Sequence, residues 1–268
     1  MIEARGTDPS PKDGGPDFWP ADDSGHRAKA PRSRLPLIIA AIVVAVVAVA
    51  GAVAFFVLGD EEKAASAPGN GARISPVAYT PQMADKDMAK LAQRSADQRP
   101  ITQGEAFPAD VKNVSFQKYS LALAASQVSN DCKTAAWGTR LQAELAKYQC
   151  SQIVRGAYVS QDKKYVGQFS AINMANQQGA EQIVRTLDPR TGAGFVLPLT
   201  APGSPAFAKG FSAAYAQAYG HYVIITWVQR AGGVQPGSLN EMIDVSLAVE
   251  KPADFVWGRA ELADGAQR

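Results

Sequence analysis

The feature that most constrains this chain is an unbroken apolar run over residues 35–58, LPLIIAAIVVAVVAVAGAVAFFVL. A helix needs about 20 apolar residues to cross the hydrocarbon core of a bilayer, so the run predicts a transmembrane helix that contacts membrane lipid. The alternative is a cleaved signal peptide, whose apolar region is about 7–15 residues long and ends in a small-residue site. Here the run is longer, a long polar tail precedes it and acidic residues follow it. We therefore predict an uncleaved, single-pass anchor.

The charges that flank this run predict its orientation. Basic residues precede it and acidic residues follow it: Arg27, Lys29, Arg32 and Arg34 before, Asp60, Glu61 and Glu62 after. Lys and Arg beside a span stay on the cytoplasmic side. The expected location is therefore the plasma membrane, with the N-terminus in the cytoplasm and the C-terminal bulk outside.

Residues 1–34 form the predicted cytoplasmic tail. This segment is rich in Asp, Pro, Gly and Ser, which predicts disorder. Phe18 and Trp19 are its only aromatic residues. They are candidates for docking a cytoplasmic partner, and the alternative is that they lie in the membrane interface, where Trp is favoured.

Charge and length limit what lies beyond the span. The chain carries a formal net charge of +2, and the acidic and basic residues of the tail balance, so there is no clustered basic face for nucleic acid. About 210 residues follow the span, which is enough for one core of ordinary size plus a linker. We expect no nucleic-acid partner, and an envelope protein or ligand of unknown identity as the partner outside.

The two cysteines, Cys132 and Cys150, both fall in the part predicted to be outside. In an oxidising compartment two cysteines most simply form one disulfide, and metal binding is the weaker alternative because no second pair completes a site. One helix across this interval would separate its ends by about 27 Å, whereas a disulfide needs Cα atoms about 5–6 Å apart. The bridge therefore requires a break, for which Gly138 is the natural place, and Thr139 with Gln142 then predicts a capping box at a new helix start.

The rest of the chain divides by composition. We predict a linker with a marginal helix over 59–110, an extracytoplasmic domain over 111–252 and a peripheral C-terminal tail over 253–268. Within the domain we predict a strand over 114–124, hairpins over 152–174 and 211–230, and helices over 180–187 and 239–249, the last with Ser238 as its cap.

The two hairpin-and-helix segments resemble each other. Ala157-Tyr158 and Tyr165-Val166 recur as Ala214-Tyr215 and Tyr222-Val223. The repeat is either a true duplication or chance similarity between two amphipathic units. Either way, the expected fold class is α+β, an antiparallel sheet with helices on one face, built as a ferredoxin-like plait or as two ββα units.

The search for chemistry returns little. The sequence has no HExxH, CxxC, Walker, GxSxG or Rossmann pattern, and we predict no catalytic, cofactor-binding or metal-binding residue and no cofactor. His221, the one histidine beyond the span, is expected to be a solvated residue at a hairpin tip. The acidic residues that an enzyme could pair in space are Glu181, Asp188, Glu241 and Asp244.

Aromatic residues supply the remaining candidates for binding. A band of them crosses the predicted strands and is expected to lie mostly in the core: Tyr158, Tyr165, Phe169, Tyr215, Tyr219, Tyr222 and Trp227. The long loop over 188–210 is the candidate binding element, with Arg190, Phe195 and Phe207 as its candidate contact residues. The alternative is an irregular connection with no binding role.

One local pattern suggests a family. Asp131-Cys132, followed by the segment from Cys150 through Gln152 and Arg155 to Tyr158, resembles a pattern in single-pass, membrane-anchored envelope proteins of high-GC, Streptomyces-like actinobacteria. The resemblance implies a cell-surface protein and transfers no catalytic residue.

The sequence thus favours a membrane-anchored extracytoplasmic binding or accessory module of unknown ligand. Two alternatives remain open, an envelope hydrolase that uses carboxylates and a transmembrane sensor that signals through the tail. An enzyme requires a concave pocket with convergent carboxylates, which is a property that a structure tests.

Overall fold

The computed structural model describes residues 73–84 and 86–265. The predicted tail, the predicted span and the first part of the predicted linker lie outside the described residues. A mixed sheet of seven strands forms the centre. Its strands are β1 (Ala78–Gln82), β2 (Asn113–Phe116), β3 (Tyr119–Ser129), β5 (Gln152–Ser160), β6 (Tyr165–Asn173), β8 (Ser212–Tyr219) and β9 (Tyr222–Arg230). Their order across the sheet is β1-β8-β9-β6-β5-β3-β2.

The other elements lie around this sheet. A separate antiparallel pair joins β4 (Ala136–Trp137) to β7 (Phe195–Val196). The helices are α1 (Gln103–Ala106), α2 (Thr139–Lys147), α3 (Gln177–Thr186), α4 (Leu239–Val249) and α5 (Asp254–Gly265), and short 3-10 turns connect several of these elements.

The two central hairpins, β5–β6 and β8–β9, form where the sequence predicts them. The helices that follow them also form. The side chain of Asn176 accepts from the amide of Gly179 at 2.8 Å and starts α3 three residues before the predicted position. Ser238 caps α4 as predicted, with Oγ accepting from the amide of Glu241 at 3.3 Å.

The predicted strand over 114–124 is wrong in its continuity. The chain turns back at Gln117, where φ is +51°, so that β2 and β3 form a third hairpin and β3 continues to Ser129. The turn was missed because the residues on both sides of it favour strands equally well.

Helices cover both faces of the sheet, so the prediction of helices on one face is wrong. On one face, which we call the α4 face, Phe169, Ile224 and Val228 pack with residues of α4 and α5. On the other, the α3 face, Val223 and Trp227 pack with residues of α2 and α3. The physical reason is that β9 is apolar at consecutive positions, which is typical of a strand buried on both sides.

The sheet is also not purely antiparallel, because β1 pairs with β8 in parallel. The order strand–strand–helix does occur twice, but the arrangement is not a ferredoxin-like plait. Strands β6 and β9 are adjacent and antiparallel. A twofold rotation that exchanges two such strands has its axis perpendicular to the sheet, so it would place the helices of both units on the same face. Helices α3 and α4 lie on opposite faces, and the units are therefore not related by such a rotation.

The described domain is larger than predicted at both ends. Met88, Leu91 and Ile101 are buried on the α4 face, in a segment assigned by sequence to the linker. The predicted peripheral tail forms α5, whose Val256 and Ala260 are buried beside them. Both segments were missed because their apolar residues are sparse and lie among charged ones.

Arg259 of α5 joins these two end segments. Its side chain is buried, and it donates from Nε to Oε1 of Glu105 at 2.7 Å and from Nη1 to Oδ2 of Asp97 at 3.0 Å. It also donates to the carbonyl oxygen of Arg99 at 2.7 Å and to the hydroxyl of Tyr222 at 2.8 Å. A buried guanidinium is tolerated only when its donors are satisfied in this way.

Cys132 and Cys150 form the predicted disulfide, with their Cα atoms 6.3 Å apart. The predicted break at Gly138 is also correct. Its φ is +94°, a Cβ there would lie 2.1 Å from the carbonyl oxygen of Ala193, and α2 begins at the next residue. The predicted capping box is wrong, because the side-chain amide of Gln142 donates instead to the carbonyl oxygens of Lys133 and Ala136 at 3.1 and 3.0 Å.

We predict that Cys132→Ser and Cys150→Ser lower the free energy of unfolding by similar amounts, about 3 kcal/mol, because the bridge closes a loop in the unfolded chain. The double variant should be no less stable than either single variant. Denaturant unfolding with and without reductant measures this. Clearly additive losses would show that the two residues act separately.

A second prediction concerns Arg259. Arg259→Met leaves the buried Asp97 with only the largely exposed Arg99, whose Nε lies 3.4 Å from Oδ1, so we expect a loss of about 3 kcal/mol in the free energy of unfolding. The control is Arg190→Met, which breaks an ion pair whose arginine side chain is largely exposed and should cost less than about 1 kcal/mol. Similar losses in the two variants would contradict this role of Arg259.

Candidate functional site

The aromatic residues of the candidate binding loop lie in the core. Phe207 stacks on Trp227 with ring centroids 4.2 Å apart, and Phe195 meets the same indole edge-on at 5.1 Å. Phe195 and Phe207 are 0% and 7% exposed. Their rings therefore belong to the core on the α3 face of the sheet.

Polar side chains of the sheet hold this loop in place. Gln168 accepts from the amide of Leu199 at 2.6 Å, and Gln229 exchanges two hydrogen bonds of 2.8 Å with the backbone of Ala208. Arg155 donates to the carbonyl oxygen of Leu197 at 2.8 Å. These contacts satisfy backbone groups that would otherwise be buried without partners. The segment is thus held against the sheet by these hydrogen bonds.

Arg190 lies apart from those aromatic residues. It forms a two-point ion pair with Asp188, and its side chain is 72% exposed. Burial raises the pKa of the Asp188 carboxyl, but the hydrogen bonds and charge of Arg190 outweigh burial and lower this pKa overall, while Asp188 raises the pKa of the Arg190 guanidinium. The three candidate residues of the loop therefore do not converge on one surface.

The carboxylates proposed for an enzyme do not converge either. Glu181, on α3, pairs with Arg185 at 3.3 Å, and Asp188 is occupied by Arg190. Glu241, on α4, accepts from the hydroxyl of Tyr165 at 3.0 Å and lies 3.3 Å from Arg230. Asp244 is on the same helix. Because α3 and α4 lie on opposite faces of the sheet, the two pairs are separated by it.

His221 is buried, so the prediction of a solvated turn residue is wrong. It is 0% exposed, its ring packs on Tyr222 at 3.9 Å, and Nδ1 lies 2.7 Å from the carbonyl oxygen of Leu91. Burial lowers its pKa to about 4, which keeps the ring neutral near pH 7. The hairpin tip is covered by the segment around Leu91, which the sequence assigned to the linker.

The described domain has a small cleft on the α4 face, between strands β1, β8 and β9 and the C-terminal end of α4. It encloses about 30 Å³, enough for about two water-sized groups. Its lining residues are Thr80, Gln82, Tyr215, Ala216, Gln217, Ile224, Thr226, Ser246 and Glu250. Most of these are hydroxyl or amide side chains at positions where the rest of this face carries apolar ones.

Glu250 is the only acidic residue that lines the cleft. It follows α4, and its amide donates to the carbonyl oxygen of Ser246 at 2.8 Å. Burial, together with the nearby Asp254, raises the pKa of Glu250 to about 7. Burial also raises the pKa of Tyr215 to about 12, so its phenol stays protonated. The cleft thus offers neutral hydroxyls and amides around one carboxyl group.

Sequence reasoning missed this cleft, although part of its signal was readable. Along β8, Tyr215 and Gln217 alternate with alanines, which indicates that the two faces of this part of the strand differ in polarity. What the sequence could not show is that β1 would pair beside β8 and add Thr80 to the same face. Nor could it show that Glu250 would reach the cleft from α4.

The remaining predicted sites fall elsewhere. Phe18 and Trp19, the candidate docking residues, lie outside the described residues, as does the apolar run over 35–58. Within 73–84 and 86–265, no helix has both the length and the apolar character needed to span a bilayer. In the same part of the chain, no cluster of three or more His, Cys, Asp or Glu residues is placed to hold a metal ion.

Comparison of the chain with known protein families, with curated proteins and with solved structures finds no match. The cleft and the placement of its residues are therefore the basis for any functional argument.

The raised pKa of Glu250 predicts a pH-dependent effect of Glu250→Gln. The unfolded carboxyl ionises near pH 4.3, whereas the folded one stays protonated to about pH 7, so the wild-type chain loses stability as pH rises through this window. The variant has no such carboxyl. We expect it to unfold a few degrees higher than the wild type at pH 8, with the difference disappearing by pH 4.

Thermal unfolding followed by circular dichroism across this pH range measures the effect. Glu181→Gln is the matched control, because it makes the same change at a carboxylate paired with Arg185. The expectation is wrong if the difference between Glu250→Gln and wild type is the same at both ends of the range.

Proposed function

We propose that this protein is a membrane-anchored extracytoplasmic binding or accessory module. The observation that carries the proposal is the cleft itself. It is small, several hydroxyl and amide side chains take part in its lining, and it contains one carboxyl group. A few placed polar groups on an otherwise apolar surface are what orients a ligand in a recognition site.

The placement of the domain outside the cytoplasm rests on the sequence and on the disulfide. The run over 35–58 is long enough to span a bilayer, and its basic flank precedes it. The Cys132–Cys150 bridge is consistent with an oxidising compartment, where such bonds persist.

The rival proposal, a hydrolase that uses carboxylates, has less support. A retaining or inverting mechanism needs two carboxyl groups within about 10 Å of one another across the scissile bond. The acidic residues considered for this role lie on opposite faces of the sheet or in ion pairs.

Topology is tested by labelling single added cysteines in the full-length chain. Val77→Cys introduces an exposed thiol in the domain, and Ser10→Cys introduces one in the predicted tail. In intact spheroplasts, a membrane-impermeant maleimide should label the cysteine at position 77 and spare the one at position 10, and after lysis it should label both. The reverse pattern would place the domain in the cytoplasm and defeat the proposal.

A further inference from the structure

Glu250 differs from the other buried and part-buried carboxylates of the described domain in forming no ion pair. Every other part-buried or buried carboxylate there faces one: Asp97 and Glu105 face Arg259, Glu144 faces Lys147, Glu181 faces Arg185, Asp188 faces Arg190, Glu241 faces Arg230 and Asp244 faces Lys118. The charge that raises the pKa of Glu250 is that of Asp254, which is also negative, and the adjacent Lys251 is paired with Asp254. A carboxylate without a cationic partner is stabilised when a positively charged group binds next to it.

The surroundings of Glu250 suit a particular kind of cation. No Lys, Arg or His side chain lines the cleft, and the hydroxyl and amide oxygens of Thr80, Gln217 and Thr226 are available as acceptors. An ammonium group has three donors and no acceptor, so it pairs with one carboxylate and fills its remaining bonds with neutral oxygens. A guanidinium has five donors in a wide planar fork and needs more than two water-sized positions.

We propose that the cleft binds the primary ammonium group at the end of a lysine-like chain, with Glu250 as its counter-ion. This inference rests on the proposed function of the protein as a binding module, and it names the class of ligand. The enclosed space of about 30 Å³ matches the ammonium group and the methylene group next to it. The rest of such a ligand would extend from the cleft into solvent, since Gln82 on its rim is exposed.

A metal ion is the other cation that an oxygen-lined site can hold. Calcium takes 6–8 oxygen ligands, usually with several carboxylates among them. The cleft supplies one carboxyl group, and its other oxygens belong to neutral side chains. The charge count therefore favours a singly charged organic cation.

Binding should depend on the ionisation of Glu250. The groups around it are Tyr215 on β8, Ser246 on α4 and Asp254 on α5, whose carboxylate is paired with Lys251. Since the pKa of Glu250 is about 7, the ionised fraction rises about tenfold between pH 6 and pH 8. Affinity for an ammonium group should rise by the same factor, because the ammonium group itself stays charged over this range.

The test is saturation-transfer difference NMR on the full-length chain in phosphatidylcholine nanodiscs. The probe is Nα-acetyl-lysine N-methylamide, and its neutral analogue is Nα-acetyl-norleucine N-methylamide. We expect the saturation transfer to the lysine probe to be strongest at its Cε protons. The bound fraction of this probe should be about tenfold lower at pH 6 than at pH 8. The norleucine analogue should show no saturation transfer. Empty nanodiscs supply the background.

Two variants make the test specific. Glu250→Gln should abolish the signal, whereas Glu181→Gln, the same change on the opposite face, should retain it. Thermal unfolding of both variants checks that they are folded. Equal signals from the two probes, a signal that survives Glu250→Gln in folded protein, or displacement of the probe by 1 mM calcium would each overturn the proposal. The topology experiment does not involve the cleft, so failure here leaves the location of the domain unaffected.

Discussion

The constraint on which the rest of this structure depends is that its central strands are apolar on both sides. In β9, Val223 and Ile225 face α3 while Ile224 and Val228 face α4. Neither face can be left in water, because each buried aliphatic side chain contributes about 1.5–3 kcal/mol. Two covering layers are therefore obligatory. The hairpins alone do not supply these layers. The remaining segments of the chain form them by packing on the two apolar faces of the sheet.

On the α3 face, the cover is made from a long irregular segment. A loop can lie on a sheet only if its backbone groups find partners, and here Gln168, Gln229 and Arg155 supply them from positions where the strand pattern would place apolar residues. These buried polar side chains look like interruptions of the strands in the sequence. In the structure they are the reason that a Pro- and Gly-rich segment can serve as a layer of the core.

On the α4 face, both ends of the described domain complete the cover that α4 begins, and Arg259 joins these two ends. The segment around Asp97 and the last helix have few apolar residues of their own, so hydrophobic burial alone would hold them weakly. The guanidinium connects them through charge-assisted hydrogen bonds to Asp97 and Glu105, and the hydroxyl of Tyr222 ties the cluster to the sheet. His221 is buried and neutral as a result, under a segment that approaches from more than 100 residues away.

Local patterns predicted what local interactions determine. Both central hairpins, the cap at Ser238, the break at Gly138 and the disulfide follow from turn residues, capping chemistry and the reach of a side chain, and all are present. The misses concern long-range packing. Nothing near His221 in the sequence indicates that Leu91 covers it, and nothing in the charged C-terminal segment indicates that Arg259 is its buried centre. The burial of Phe195 and Phe207 could not be predicted for the same reason, since it depends on their contact with Trp227 of the sheet.

The cleft is where this covering ends. Helix α4 ends at Val249, and β1 is the edge strand of the sheet. The sheet surface between the end of α4 and β1 is therefore only partly covered, and the cleft lies there. At that place the strands carry Tyr215, Gln217 and Thr226 instead of aliphatic residues, which removes the hydrophobic penalty of leaving the surface open. Glu250 differs from these residues because it carries an ionisable group, which the end of a helix does not require. An unpaired carboxyl with a pKa near 7 destabilises the fold at higher pH. Carboxyl groups with perturbed pKa values cluster at functional sites, and this cost in stability is the reason for proposing that Glu250 binds a ligand.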